Sequence, residues 1–354
     1  MIQYNYIATI ASLDIKKCIE TSELAIIGTQ DPRYQQLKKA STNQNKFINS
    51  FKTPFGVKIL PSIIIRDSSL PKVQLDYLCS FRTSIAVSSV IYSLVTSFRL
   101  QRQFGIPTTE VFDFYPISLT QDKKNLFYQT ASNKGINSLD NFKGQSNPVY
   151  IDAQNLDFEY DTELLKSLLA ILSKQGKKRE DKIFKSKLFR SIQMANFAMR
   201  VPFFNFFNKV DLGTSLSLWV GAFETLAHPL NGAVEFNHVS DILKSVPWLK
   251  SSLKVKANRP IYSLKAKPKK NDKTTLPVQI FGRLFNTRNM YLHGNPLPKN
   301  GFEFKTCKNW NPLFYQIPAL YRSVVLSEII KKIGSKYPIG PFTISCENIL
   351  SKKK

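Results

Sequence analysis

Residues 277–296 read PVQIFGRLFNTRNMYLHGNP, and the rest of the chain is best read outward from them. Val278, Phe281, Phe285 and Leu292 recur at helical spacing, with Leu284 and Tyr291 beside them; Pro277 suits a first turn and Gly294 a stop. Extended three residues beyond Phe285, the apolar stripe lands on Arg288. A guanidinium on a core-facing stripe is costly to bury unless it has a partner or a task. His293 follows five residues later, directly before the glycine.

The neighbouring segments predict more helices. Residues 182–200, KIFKSKLFRSIQMANFAMR, place Phe184, Leu188, Ile192, Ala195 and Met199 on one face. Residues 211–229, DLGTSLSLWVGAFETLAHP, predict a helix from Thr214 stopped by Pro229, with Leu216, Trp219 or Val220, Phe223 and Leu226 facing the core. Glu224 flanks that stripe in line with Ser217 and Gly221, small residues that admit a neighbouring helix. A short helix is expected at about 239–250. After it comes an exposed, flexible basic insertion at 251–275, in which eight basic side chains face one acid. Asn311 as N-cap and Pro312 in the first turn announce a last helix striped by Ile317, Leu320, Val324 or Val325, Ile329 and Ile333, and stopped at Gly334.

Arg288-Asn289-Met290-Tyr291-Leu292-His293 is an R-N-x3-H string at a helix end. With the helix order just described, it resembles the HEPN domain, in particular its Apea-like branch, over about residues 180–335. The resemblance implies a small helical bundle and, in many members, a metal-independent ribonuclease without cofactor. Others of the family bind or scaffold without cutting. The implied catalytic set is Arg288, Asn289, His293 and Glu224. Metal-free cleavage needs a base for the 2′-OH, an acid for the leaving 5′-oxygen and positive charge on the forming phosphorane. Histidine exchanges protons near neutral pH, and arginine stays charged and binds phosphate oxygens in pairs. Asn289, four residues before His293, would orient the imidazole or hold a phosphate oxygen.

Five residues of ideal helix turn ~500°, which leaves Arg288 and His293 ~140° apart and ~7.5 Å along the axis. For both to meet one phosphate, either the last turn opens at Gly294 or a second chain completes the site. The resemblance implies the second, a homodimer. The structural alternative pairs Arg288 with Glu224 and leaves His293 as a helix cap. The functional alternative is a non-catalytic RNA-binding or protein-interaction module on the same bundle.

Net charge supports a polyanionic partner. The chain of 354 residues carries +25. Residues 1–150 hold 17 basic and 10 acidic side chains, leaving 33 and 15 for residues 151–354, an excess of 18. Nucleic acid is the leading partner for such an excess, ahead of an anionic membrane surface or plain solubility. The expected RNA contacts are the insertion residues Lys254, Lys256, Arg259, Lys265, Lys267, Lys269, Lys270 and Lys273.

The fold class expected is α+β, a mixed α/β domain at 1–158 followed by an all-α HEPN-like bundle at 159–354. In the first domain, QYNYIATI, ELAIIGTQ and the run VKILPSIIIRD, interrupted by Pro61, suggest strands; Pro32 to Lys39 suggests a helix. Residues 75–103 suggest a long buried helix. Its 16 uncharged residues between Arg82 and Arg99 fall short of the ~20 needed to span a bilayer, so no membrane partner is expected. Glu110 to Leu119 and NLFYQTA read as strands, Lys134 to Pro148 as a loop, and 162–174 as a helix. This domain carries no recognisable motif; a sensing role, or docking of a trigger or antitoxin partner, is the expectation from its fusion to the bundle. Cys18, Cys79, Cys307 and Cys346 lack metal-ligand spacing, so neither zinc nor a disulfide framework is expected, and a cytoplasmic location follows. Phosphate-loop, dinucleotide-binding, H-E-x-x-H and G-x-S-x-G motifs do not occur. A toxin or antiphage (abortive-infection) role is implied by the resemblance alone.

Overall fold

The structure, a computed structural model, describes residues 4–100, 108–120, 122–129, 134–139, 142–145, 159–174, 176, 178–200, 209–258, 273–296, 303–306 and 309–351. The chain forms two compact units, Met1–Arg82 with Thr109–Glu159, and Thr83–Thr108 with Tyr160–Lys354. One of the crossings between the units falls between Glu159 and Tyr160. A single cut does not describe the long helix, whose residues after Arg82 belong with the C-terminal unit.

The first unit begins with β1 (Tyr4–Ile10), β2 (Ile19–Glu20), β3 (Ala25–Ile27), α1 (Pro32–Ala40), α2 (Thr42–Asn49) and β4 (Ser62–Asp67). The four strands form an antiparallel sheet in the order β1-β4-β3-β2. Pro61 sits just ahead of β4, where its missing N–H costs no ladder bond. Asp31 and Ser41 cap the two helices through their side chains. Ile63 and Ile65 of the sheet pack with Tyr34, Leu37, Phe47 and Phe51 in one core.

After α3 (Leu75–Leu100), residues Thr109–Phe112 form a 3-10 turn, followed by the antiparallel meander β5 (Ile117–Leu119), β6 (Asn125–Gln129) and β7 (Lys134–Ser138). Two expectations are corrected here. The strand expected from Glu110 starts only at Ile117, because Asp113 is held by an ion pair to Arg82 and its N–H is turned back onto Glu110. The loop expected from Lys134 opens with a strand, because β6 supplies its ladder partners. The window of α3 long and apolar enough to cross a membrane is 67% buried within the protein, as in a core helix.

The second unit is mostly helical: α4 (Thr162–Ser173), α5 (Arg179–Ala198), α6 (Lys209–Ala227), α7 (Phe236–Lys244), α8 (Ser251–Lys254), the short pair β8 (Ala257–Asn258) and β9 (Lys273–Thr274), α9 (Leu276–Leu292), the hairpin β10 (Glu303–Thr306) and β11 (Asn309–Pro312), α10 (Leu313–Ile333) and α11 (Pro341–Ser351). The α+β then helical order is as expected. Leu188, Ile192 and Ala195 of α5, Met199 at its C-cap, and Leu216, Trp219, Val220, Phe223 and Leu226 of α6 are buried, whereas Phe184, expected on the same face, is only partly so.

Local corrections follow from tertiary partners. Helix α6 starts at Lys209, five residues before Thr214. The helix expected at 239–250 is α7, which ends at Lys244; a turn follows in which Trp248 Nε1 donates to the Leu243 carbonyl at 3.0 Å, and α8 begins only at Ser251. The insertion is ordered at both ends: Leu253 is buried, and β8 pairs with β9. Asn311 and Pro312 end a strand, so α10 begins at Leu313. Helix α10 is buried on nearly all sides from Gln316 to Ser327, although Ile333 at its end is exposed.

Candidate active site

Helix α9 is buried from Leu276 to Gly282, with Pro277 in its first turn where no N–H is needed. Phe281 meets Phe223 of α6 at 5.2 Å between ring centroids and Phe236 of α7 at 5.5 Å; Phe285 meets Phe236 at 5.6 Å. These aromatic contacts fix the rotation of α9 and thereby the direction of the residues one turn on. Tyr291 packs into α6 at Gly213, where an added Cβ would lie 2.2 Å from its ring. A residue with a side chain at position 213 would displace Tyr291, a pairing that no local pattern signals.

Arg288 is half-buried, its side chain 22% exposed, and faces Glu224 of α6, 25% exposed. Its Nη2 donates to Glu224 Oε2 at a long 3.4 Å, and its Nη1 to Asn289 Oδ1 at 2.8 Å. The guanidinium carbon lies 5.5 Å from the centre of the Phe285 ring. Its Nε is buried without a hydrogen-bond partner among the described residues. Burial pushes the Glu224 carboxyl above the usual glutamate range, and the Arg288 charge opposes this without cancelling it. Arg288, Asn289 and Glu224 therefore form one cluster. The amide oxygen of Asn289 accepts from the guanidinium of Arg288.

His293 is exposed and is the C-cap of α9. Gly294 follows at φ +67°, its N–H bonded to the Tyr291 carbonyl at 3.1 Å, and the Asn295 N–H reaches the Met290 carbonyl at 2.9 Å. This pair of bonds closes the last turn as a Schellman motif, which requires the left-handed residue that glycine supplies. The last turn is thus shut. Leu292, expected on the core stripe, is exposed beside His293 because the chain turns away there.

Of the expected RNA contacts, Lys254 and Lys256 are exposed at the start of the insertion, and Lys273 lies in β9. Arg259, Lys265, Lys267, Lys269 and Lys270 lie outside the described residues. Trp219, expected to face the core, is buried, and so is Trp248. His238 accepts the Glu235 N–H within a capping box at the start of α7. Among the described residues no group of three His, Cys, Asp or Glu side chains is placed to hold a metal ion. Cys18, Cys79 and Cys346 are free thiols, and Cys307 lies outside the described residues.

No protein-family model, no curated protein and no solved structure matches the chain, so the likeness to HEPN domains rests on the R-N-x3-H string and the helix order.

Proposed function

We propose that the chain is a metal-independent endoribonuclease of HEPN type, acting in the cytoplasm as a homodimer. The observation that carries the reading is the state of Arg288: a partly exposed guanidinium whose Nη2 makes a long 3.4 Å contact to Glu224, five residues before an exposed histidine. Such a group has donors left for the oxygens of a phosphate. In the proposed reaction the 2′-oxygen attacks phosphorus while the bond to the 5′-oxygen breaks. The 2′-proton passes to a base and a proton is delivered to the leaving oxygen, giving a 2′,3′-cyclic phosphate and a 5′-hydroxyl. Arg288 stabilises the charge on the phosphorane and His293 moves a proton; Glu224 and Asn289 are positioning residues that aim Arg288. The closed turn at Gly294 supports the homodimer over an opened last turn: a second chain supplies the facing His293, with two α9 helices across a two-fold axis. The basic excess of residues 151–354 holds the RNA backbone, and the N-terminal unit answers to a trigger or antitoxin partner in a toxin or antiphage role.

The test is to incubate the full chain with generic RNA in EDTA. Cleavage leaving 2′,3′-cyclic phosphate ends, abolished by deoxyribose at the cut site, is the expected result. Cutting of DNA, or a strict need for Mg²⁺, overturns it.

A non-catalytic RNA-binding or interaction module is the second reading. The contact of Arg288 with Glu224 favours it, since it links α9 to α6 as a structural ion pair would. RNA binding without any cleavage would establish it.

A further inference from the structure

Between α2 and β4 the chain forms a miniature hairpin, Phe51 to Ile59. The Ile59 N–H bonds to the Phe51 carbonyl at 3.0 Å, and the Thr53 N–H to the Val57 carbonyl at 2.7 Å. At its tip the Gly56 N–H bonds to the Thr53 carbonyl at 2.9 Å, with Pro54 in the second position of the turn, and the Val57 N–H bonds to Thr53 Oγ1 at 3.1 Å. Gly56 sits at φ +83°, a conformation that an L side chain rarely adopts. The turn is therefore held in one shape, and that shape thrusts apolar groups outward: Phe55 is 92% exposed and Val57 61%, with Pro54 exposed between the arms.

A single exposed apolar side chain needs no explanation, but an exposed cluster on a preformed turn does. Its surroundings state the chemistry. Lys52 and Lys58 are bridge partners across the two arms, and the Lys52 N–H also bonds to the Gly144 carbonyl, which brings the exposed Lys143 to the same base. None of the three is paired with an acidic side chain among the described residues. Residues 32–66 contain seven basic and no acidic side chains. An apolar tip above a collar of cations matches the layering of an anionic bilayer, where acyl chains lie beneath negative headgroups. A nucleic acid fits less well, since only Phe55 offers a ring to stack on and the tip bears no side-chain hydrogen-bonding group to read a base. The expectation of no membrane partner came from the length of α3 and does not bear on this hairpin.

We propose that the Lys52–Lys58 hairpin is a membrane-docking loop that inserts Phe55 and Val57 into the interface of an anionic lipid surface while Lys52, Lys58 and Lys143 hold its headgroups. This site is independent of the chemistry proposed for α9.

The test uses the full chain and sedimentation with phosphatidylcholine vesicles, with and without about a third of phosphatidylglycerol. Binding is expected only to the anionic vesicles. It should weaken about 10-fold in the Phe55→Ser/Val57→Ser double variant and about 10²-fold when Lys52, Lys58 and Lys143 become Ala. Both sets lie on the surface, and an unchanged thermal midpoint verifies the fold. A Phe55→Trp variant should shift its emission to the blue on anionic vesicles. If the serine variant binds as well as the wild type, the net charge alone is responsible and the proposal fails. It fails equally if neither vesicle binds, or if Trp emission at position 55 responds to single-stranded polyuridine and not to lipid.

Discussion

Arg288 and Arg322 are both helical arginines that lie over a phenylalanine ring and face carboxylates, yet they are held in opposite ways. Arg322 of α10 is fully buried, and each of its nitrogens has a partner: Nε donates to Asp161 at 2.7 Å, Nη1 to Thr343 at 2.8 Å, and Nη2 to Glu163 at 2.8 Å and Asp161 at 3.3 Å. Asp161 at the same time caps α4 by accepting the Glu163 and Leu164 N–H groups. One guanidinium thereby ties the start of α4 to α10 and α11. Arg288 has a single long contact to a carboxylate and a neighbour's amide, and it keeps an open side. Arg322 is saturated and dry, whereas Arg288 is partly exposed and only loosely paired, which is the state the proposed ligand role needs. The difference lies in the completeness of the donor set, which sequence does not display.

The largest effect that would sharpen the contrast is on stability. Arg322→Ala leaves Asp161 charged, buried and short of its main partner, and should cost about 3–5 kcal/mol. A denaturant titration showing a loss below ~1 kcal/mol would remove Arg322 from its structural role.

Next comes the closure of α9. Gly294→Ala forces an L side chain into the left-handed region and should cost about 1 kcal/mol. Because the same turn sets His293, RNA cleavage should fall by more than the loss of folded protein explains. Full activity at reduced stability would show that the position of His293 does not matter.

The smallest effect concerns Glu224. Burial raises its pKa in the folded chain, so the folded state keeps this proton to a higher pH than the unfolded state does. Stability is thus lost as pH rises from the ordinary glutamate range through the raised value. Glu224→Gln lacks this loss. Thermal midpoints of the two proteins should agree at low pH, and the wild type should fall behind as pH rises through that window. A wild type that gains on the variant over the same window would mean that the contact with Arg288 outweighs burial.

Much of this was legible in the sequence where the signal is local. Pro277 and Gly294 bracket α9, α4 lies where a helix was expected, and the expected core positions of α5 and α6 are buried except Phe184, which is only partly so. What was missed depends on distant partners. Lys134–Ser138 is too polar to read as a strand and becomes one only because β6 is beside it. Helix α11 went unread, since its buried Glu347 makes sense only when its carboxylate is seen accepting the Leu249 and Lys250 N–H groups 98 and 97 residues away. Helix α2 has only Phe47 and Ile48 as buried apolar residues, too few to show a period. At the site, the residue types and their spacing are visible in the sequence, and so is a pairing of Glu224 with Arg288. The bond from Arg288 to Asn289 and the seat of Tyr291 at Gly213 are not, because each is decided by how α6 and α9 rotate against one another.

The most direct measurement makes Arg288→Ala and His293→Ala in the full chain and records thermal unfolding and cleavage of generic RNA in EDTA side by side. If Arg288 serves a ligand and Arg322 the fold, both variants keep a midpoint close to wild type and lose at least ~10² in cleavage rate. An Arg288→Ala protein that unfolds as readily as Arg322→Ala, together with a His293→Ala protein that cleaves like wild type, would contradict the account and make Arg288 a second structural arginine.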